Sequence, residues 1–431
     1  MRSPVEITPV RKINAEIRVP GSKSYSQRAL VISALAKGES VLENILISED
    51  TLILMRALGA LGVRLTSAGE TAFVAGNGGR ISNPGKPLHL GNNGTAMRFL
   101  CGVAALGKGP FILTGDPRLC ERPVGQLLQA LRDAGVEAES ERGDGCPPVT
   151  VNAAGIPGGR IVLENPVSSQ FISSLLICSP FARGGMEIEL KGSPASLPYI
   201  GMTLEVMEAY GVEIEKPAPG LFRSAKPSCY EGRHYRIEGD ATGASYFFAA
   251  AAAAGGRVRV RGVRPDSRQG DTGFLKILER IGCRVSGTED WTEVEGSGMK
   301  TGEFTFDMGG MPDLVPTLAV VSAFRKGRTV ITNAAHLRHK ESDRIRTVVL
   351  ELKRIGARAE ETGDGMIIEG GRLRGADIET HGDHRIAMSM AVAGLAVPGI
   401  RIKDPDCVKK SYPGFWEEFG KLCGGEKRIE S

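Results

Sequence analysis

Several common functional signatures are missing from this 431-residue sequence. Its eight cysteines are scattered, none within five residues of another, which excludes a CxxC redox pair or a clustered zinc site. The most apolar run, Tyr246 to Ala254, is nine residues long, against the roughly 20 that a membrane-spanning helix needs. The opening MRSPVEITPVRKINAE has no apolar segment of the kind a secretory signal carries. A cytoplasmic chain with reduced thiols is therefore expected. Neither sign of charge is in large excess: 54 Lys and Arg face 50 Asp and Glu, a net +4. A dedicated nucleic-acid binder shows a strongly basic domain instead. There is no GxxxxGKS or GxxxxGKT loop and no GxGxxG after a strand, so a nucleotide kinase or a dehydrogenase is disfavoured.

What is present is a globular composition, with 41% apolar and 24% charged residues and 57 glycines. It predicts a well-packed core with many tight turns or close backbone approaches. The chain also repeats itself. An apolar-periodic helix ending in Gly plus an apolar residue recurs at Gly62, Gly135, Gly211, Gly282 and Gly356, spaced 71 to 76 residues apart. A Gly in that place reads as the left-handed cap of a helix. Between these lies a second pattern: a short strand, a polar knot of Gly, Ser, Asn and Asp, then a helix rich in Ala, Gly and Ser. Pro20, Gly91, Asn165, Gly239, Met308 and His381 mark its six occurrences, 69 to 74 residues apart. Six units of two helices and several strands predict an α/β fold whose small-residue helices are buried.

Each knot sets backbone N–H groups at a helix N-terminus, where partial positive charge favours anions. Residues such as Thr242 and Ser245 read there as simple caps. The cations do not: Lys23, Arg28, Arg98, His384 and Arg385 lie in or beside knots, where the helix dipole disfavours them unless an anion binds. Arg118 and Arg122 occupy GDPRLCERPVGQ, and Lys409 and Lys410 lie in DPDCVKKSYP. The segment HLRHKESDRIR is charged throughout; on a helix its Lys340 and Arg344 would share a face. Lys23 has no acidic neighbour in sequence, which points to a ligand as its partner.

PGSKSYSQRAL, LGNNGTAMRFL, GDPRLCERPVGQL, SSQFISSLL, SLPYIGMT, MPDLVPTLA, LRHKESDRI, GDHRIAMSMAVAGL and DPDCVKKSYPGF occur in this order and span nearly the whole chain. Together they resemble the 5-enolpyruvylshikimate-3-phosphate synthase family. The resemblance implies two similar domains, each of three βαβαββ-type repeats in an inside-out α/β barrel, with the active site in the cleft between them. One domain would be 21–238, on the shikimate-3-phosphate side. The other would be 1–20 plus 239–431, on the phosphoenolpyruvate and acid/base side. The implied reaction transfers the carboxyvinyl group of phosphoenolpyruvate to the 5-hydroxyl of shikimate-3-phosphate and releases phosphate.

By matching motif positions, Lys23, Ser24, Arg28, Ser168, Ser169, Gln170, Ser196 and Tyr199 resemble the shikimate-3-phosphate set, joined by Asp313, His336 and Lys340. Beside LRHKESDRI, many family members carry Asn where this chain has His336. Lys23, Gly94, Arg122, Gln170, Arg344, Arg385 and Lys410 resemble the phosphoenolpyruvate set, with Asn92 and Thr95 shaping the Gly94 turn. Asp313 resembles the base that takes the 5-hydroxyl proton and Glu341 the acid that protonates C3. Lys23 would serve both binding and proton transfer, and His384 would orient. The resemblance implies no cofactor, no metal, a monomer, and no nucleic-acid or membrane partner. Two alternatives stay open: a UDP-N-acetylglucosamine enolpyruvyl transferase, whose reactive Cys would fall at Pro117 rather than Cys120, and a non-catalytic phosphate-binding scaffold.

Overall fold

The computed structural model describes residues 3–192, 196–225 and 227–424. They form two compact units. One is continuous, Lys23–Ile237; the other is discontinuous, joining the segment that ends at Ser22 to the segment that begins at Glu238.

The fold is mixed α/β, with helices inside and sheets outside. In the continuous unit the inner helices are Lys23–Leu35, Gly94–Ala104 and Ser169–Cys178; in the discontinuous unit they are Ala241–Ala254, Val315–Ala323 and His384–Gly394. Almost every residue of all six is buried. Small side chains make this possible. A β-carbon on Gly102 would run into Ser174 and Cys178 of the neighbouring helix, and Ser174 Oγ donates to Arg98 O at 2.7 Å. Removing the side chain at 102 lets two backbones approach and lets a polar residue satisfy itself locally.

The outer helices Glu49–Ala60, Gly125–Asp133, Pro198–Ala209, Gly273–Arg280 and Arg344–Arg354 each stop just before one of the five periodic glycines. Those glycines have φ between +83° and +114°, the left-handed cap the repeat predicts.

Five sheets share one plan: a parallel pair, then two antiparallel pairings, four strands in all. In the second repeat, Leu88–His89 runs parallel to Lys108–Thr114, which pairs with Val149–Ala154, which pairs with Glu137–Ser140. The sixth sheet has three strands: Ala376–Ile378 runs parallel to Ile400–Ile402, and Val5–Glu6 closes its edge. No sheet closes on itself among the described residues.

Two entry strands are exchanged. Ile13–Arg18 precedes the first buried helix of the continuous unit, yet it pairs with Gly256–Arg261 in the discontinuous one. His234–Arg236 precedes helix Ala241–Ala254, yet it pairs with Lys37–Glu43 in the continuous unit. Beyond these strands the chain passes itself closely, with Ser22 N donating to Glu238 O at 2.7 Å.

Candidate active site

In the continuous unit, three knots supply interlocking polar groups. Asn93 caps helix Gly94–Ala104 by accepting from Ala96 N at 2.9 Å, and its Nδ2 donates to Asp50 O at 2.7 Å and Gln27 Oε1 at 3.0 Å. The capping residue is thus Asn93, with the half-buried Asn92 just before it. Ser168 caps helix Ser169–Cys178 through Gln170 N. The Gln170 side chain then bridges two groups, accepting from Arg98 Nη1 at 2.6 Å and donating to Thr95 Oγ1 at 2.9 Å. Arg122 is buried against Gly94: a β-carbon there would meet its Cζ at 2.7 Å.

Lys23 does have an acidic partner, contrary to the sequence expectation. Its Nζ lies 3.0 Å from Asp50 Oδ2, a pair invisible in sequence because 27 residues separate the two. Arg28 is fully buried and braces helices together: Nε donates to Thr203 Oγ1 at 2.8 Å, Nη1 to Ser24 O at 2.9 Å and Nη2 to Tyr199 O at 3.1 Å. Burial lowers its pKa to about 10. Ser169 and Ser196 are buried, and Ser196 holds a φ of +61° at the start of the turn leading to Tyr199.

In the discontinuous unit, the centre is Asp313. Arg344 Nη1 donates to its Oδ1 at 2.8 Å, Arg385 Nη2 donates to its Oδ2 at 2.6 Å, and Lys340 Nζ is 4.0 Å away. Burial pushes the Asp313 carboxyl up, but Arg385, Lys340 and Arg344 outweigh it and hold the pKa well below the usual carboxylate range. Arg344 also reaches Glu341 Oε2 at 2.7 Å and Asp383 Oδ2 at 2.8 Å. Asp383 does three jobs: it receives Arg344, receives Ser342 Oγ at 3.0 Å, and caps helix His384–Gly394 through Arg385 N at 2.9 Å. Tyr246 OH accepts from Arg385 Nη1 at 3.3 Å. The result is a lattice of alternating charges around two arginines that present donors to one carboxylate. The geometry suits anions that offer two oxygens to a guanidinium, carboxylate or phosphate.

Two further expectations need correction. Lys340 and Arg344 share no helix face: Ala335–His339 is a 3-10 turn, Lys340 is extended, and the α-helix starts only at Arg344, capped by Asp343. Thr242 and Ser245 do not cap; Asp240 does, accepting from Gly243 N at 2.9 Å. Thr242 instead donates to the buried carboxylate of Asp271, and Ser245 donates to Thr242 O.

Other assigned residues are placed as follows. His336 is partly buried, and burial together with Lys340 lowers its pKa to about 4, leaving a neutral imidazole at neutral pH. His384 is fully buried, with Nδ1 3.7 Å from Asp383 Oδ1. Lys410 is buried at the end of the 3-10 turn Pro405–Lys410, which packs on helix His384–Gly394. Sequence reasoning missed Asp50, Asn93, Tyr246 and Asp383. The Asp before His384 and Arg385 carried a signal, as a cap ahead of two cations; Tyr246 carried none, standing inside an apolar run. Among the described residues, no group of three or more His, Cys, Asp or Glu is placed to hold a metal, and no helix is long and apolar enough to cross a membrane.

The family model for EPSP synthase (3-phosphoshikimate 1-carboxyvinyltransferase) matches residues 7–419. The chain belongs to the EPSP synthase family. The 3-phosphoshikimate 1-carboxyvinyltransferase of Nostoc punctiforme is 42% identical over 414 residues, covering 96% of this chain and 97% of the relative. That of Syntrophobacter fumaroxidans is 43% identical over 424 residues, covering 98% and 100%. Among solved structures, the EPSP synthase of Acinetobacter baumannii superposes with a TM-score of 0.80 at 27% identity, covering 98% of each chain. Family membership and the α/β architecture therefore agree with the resemblance read from the motifs.

Proposed function

We propose that the chain carries out its family's reaction, transfer of the carboxyvinyl group of phosphoenolpyruvate to the 5-hydroxyl of shikimate-3-phosphate with release of phosphate, and that the residues above perform it. The observation that carries this reading is the Asp313 carboxylate held between Arg344 and Arg385. Both substrates bear phosphate and carboxylate, so a site of fixed guanidinium donors fits them. In this reading Lys23, Asn92, Gly94, Thr95, Arg122, Gln170, Arg344, Arg385 and Lys410 receive phosphoenolpyruvate. Lys23, Ser24, Arg28, Ser168, Ser169, Gln170, Ser196, Tyr199, His336 and Lys340 receive shikimate-3-phosphate, with Asp313 on its 5-hydroxyl.

The family resemblance assigns the steps to these residues. Oxygen of the 5-hydroxyl attacks C2 of phosphoenolpyruvate while Glu341 gives a proton to C3; phosphate then leaves the tetrahedral adduct as C3 loses a proton. Asp313 takes the hydroxyl proton. A carboxylate as strongly paired as Asp313 is a weak base. Substrate anions that engage Arg344 and Arg385 weaken that pairing and make Asp313 more basic when the hydroxyl is in place. His384, fully buried beside Asp383, orients rather than transfers. The same reading takes the chain as a cytoplasmic monomer without cofactor, metal, nucleic-acid or membrane partner; all eight cysteines are free, as suits a reducing compartment. Cys120 is buried and its Sγ donates to Gly115 O at 3.4 Å, an inward-facing thiol that does not favour the UDP-N-acetylglucosamine alternative. Purified protein given both substrates and assayed for phosphate release tests the proposal; no release above the single-substrate controls overturns it.

A further inference from the structure

Glu351 is fully buried, yet nothing in the chemistry above uses it. A carboxylate in such a place is costly unless its oxygens are satisfied. Its Oε2 accepts from the backbone N of Glu379 at 3.1 Å, and its Oε1 lies 3.1 Å from Nε2 of His381. Arg354 Nε stands 3.5 Å from Oε2. Glu379 immediately precedes, and His381 lies within, the turn Thr380–Asp383 that leads into His384 and Arg385.

That turn is tight and conformationally demanding. Asp383 N donates to Thr380 O at 2.9 Å, and the two residues between them, His381 and Gly382, have φ of +54° and +65°. Glycine adopts such a conformation freely, whereas a β-carbon makes it unfavourable for histidine. His381 is therefore a residue that its surroundings must hold, and Glu351 is what its ring contacts.

The helix Arg344–Arg354 supplies the geometry. Glu351 follows Arg344 by seven residues, about two turns, so both side chains leave the same face. Arg344 grips Asp383 through Nε at 2.8 Å. One helix thus holds one turn at two points, about 10 Å apart along its axis. Without the second point, the turn would be held from this helix only at Asp383, next to the helix start that carries Arg385.

We propose that Glu351 and His381 are positioning residues, a clasp that fixes the turn Thr380–Asp383 and so aims Arg385, together with Arg344, at one anion. The proposal rests on the phosphoenolpyruvate assignment above.

Steady-state kinetics on the full chain, with each substrate varied in turn, tests it in Glu351→Gln, Glu351→Leu and His381→Asn. Asn tolerates positive φ but is too short to reach Glu351, so His381→Asn keeps the turn and removes the contact. It is expected to raise KM for phosphoenolpyruvate about tenfold, the scale of a modest misplacement, and to leave KM for shikimate-3-phosphate within about twofold. Glu351→Gln retains an acceptor for Glu379 N and should fall between wild type and Glu351→Leu. Equal changes in both KM values, or a lower melting temperature with unchanged kinetics, would show a merely structural role and overturn the clasp. If Glu351→Leu does not fold, the KM ratio in His381→Asn decides. Wild-type phosphate release separates the two levels: its absence removes the functional reading and the clasp together, while normal release with unshifted ratios removes the clasp alone.

Discussion

The guanidinium of Arg122 occupies the volume that a side chain on residue 94 would need. A β-carbon built on Gly94 lies 2.7 Å from both Cζ and Nη2 of Arg122. The glycine is required for space rather than for an unusual φ, because it opens helix Gly94–Ala104 in ordinary helical backbone. A buried cation thus lies against a helix N-terminus, an arrangement that an anion shared by both would stabilise.

Gly94→Ala should therefore act on one substrate. Arg122 must move by a few tenths of an ångström or more, and a flexible side chain is able to do so without unfolding the unit. KM for phosphoenolpyruvate is expected to rise about tenfold or more, with KM for shikimate-3-phosphate nearly unchanged and the melting temperature within a few degrees. Matching rises in both KM values would show that Arg122 does not belong to the phosphoenolpyruvate set.

Asp313→Asn should split catalysis from anion binding. Turnover is expected to fall by about 10²-fold or more, the scale of general-base effects. Arg344 and Arg385 lose their carboxylate counter-charge at the same time, so the free protein should bind inorganic phosphate more tightly than wild type. Calorimetric titration reads the second effect. Weaker phosphate binding in the variant would mean that the arginine pair is not the anion site.

Lys23→Met should abolish turnover and also cost stability. Lys23 is 14% exposed and its partner Asp50 only 4%, and breaking a buried pair by removing one member costs about 3 kcal/mol or more. Thermal melts should show a clear fall, partly recovered in Lys23→Met with Asp50→Asn, while phosphate release stays absent in both. Full activity in the double variant would remove Lys23 from the catalytic set.

Asp271→Asn should change the pH dependence of stability. Burial and the nearby Asp313 raise the Asp271 pKa to about 7, against roughly 3.9 in an unfolded chain. The folded state therefore keeps a proton that the unfolded state loses, and wild-type stability drops as pH rises from about 4 to about 7. The variant lacks this titration. Its melting temperature relative to wild type should rise between pH 5 and pH 8, by the equivalent of about 3 kcal/mol. A difference that stays flat across this range would show that Asp271 titrates as an ordinary carboxylate.

Much of the architecture was legible because it rests on local chemistry. The five capping glycines punctuate helices wherever backbone must turn left-handed, and small-residue runs such as the one after Tyr246 announce helices packed on all sides. The cations proposed for the site stood out for a related reason: a positive residue at a helix N-terminus is unfavourable without an anion. Long-range pairings were not. Asp50 meets Lys23, and Tyr246 meets Arg385, through packing that no spacing rule encodes. The segment around Lys340 misled because charge periodicity alone does not reveal that Asp343 starts a new helix.

The exchanged entry strands bear on how such a chain could be divided. A cut just after Ser224 would separate three repeats from three, yet neither fragment would own all its sheets. The first would carry Ile13–Arg18 without Gly256–Arg261, and the second would carry His234–Arg236 without Lys37–Glu43. Each fragment alone would leave a strand edge open, a template for misassembly. Together they would complete one another by trading strands, as subunits of a domain-swapped dimer do. The six-repeat chain thus has the connectivity of two three-repeat proteins that swapped an arm and were then joined into a single polypeptide.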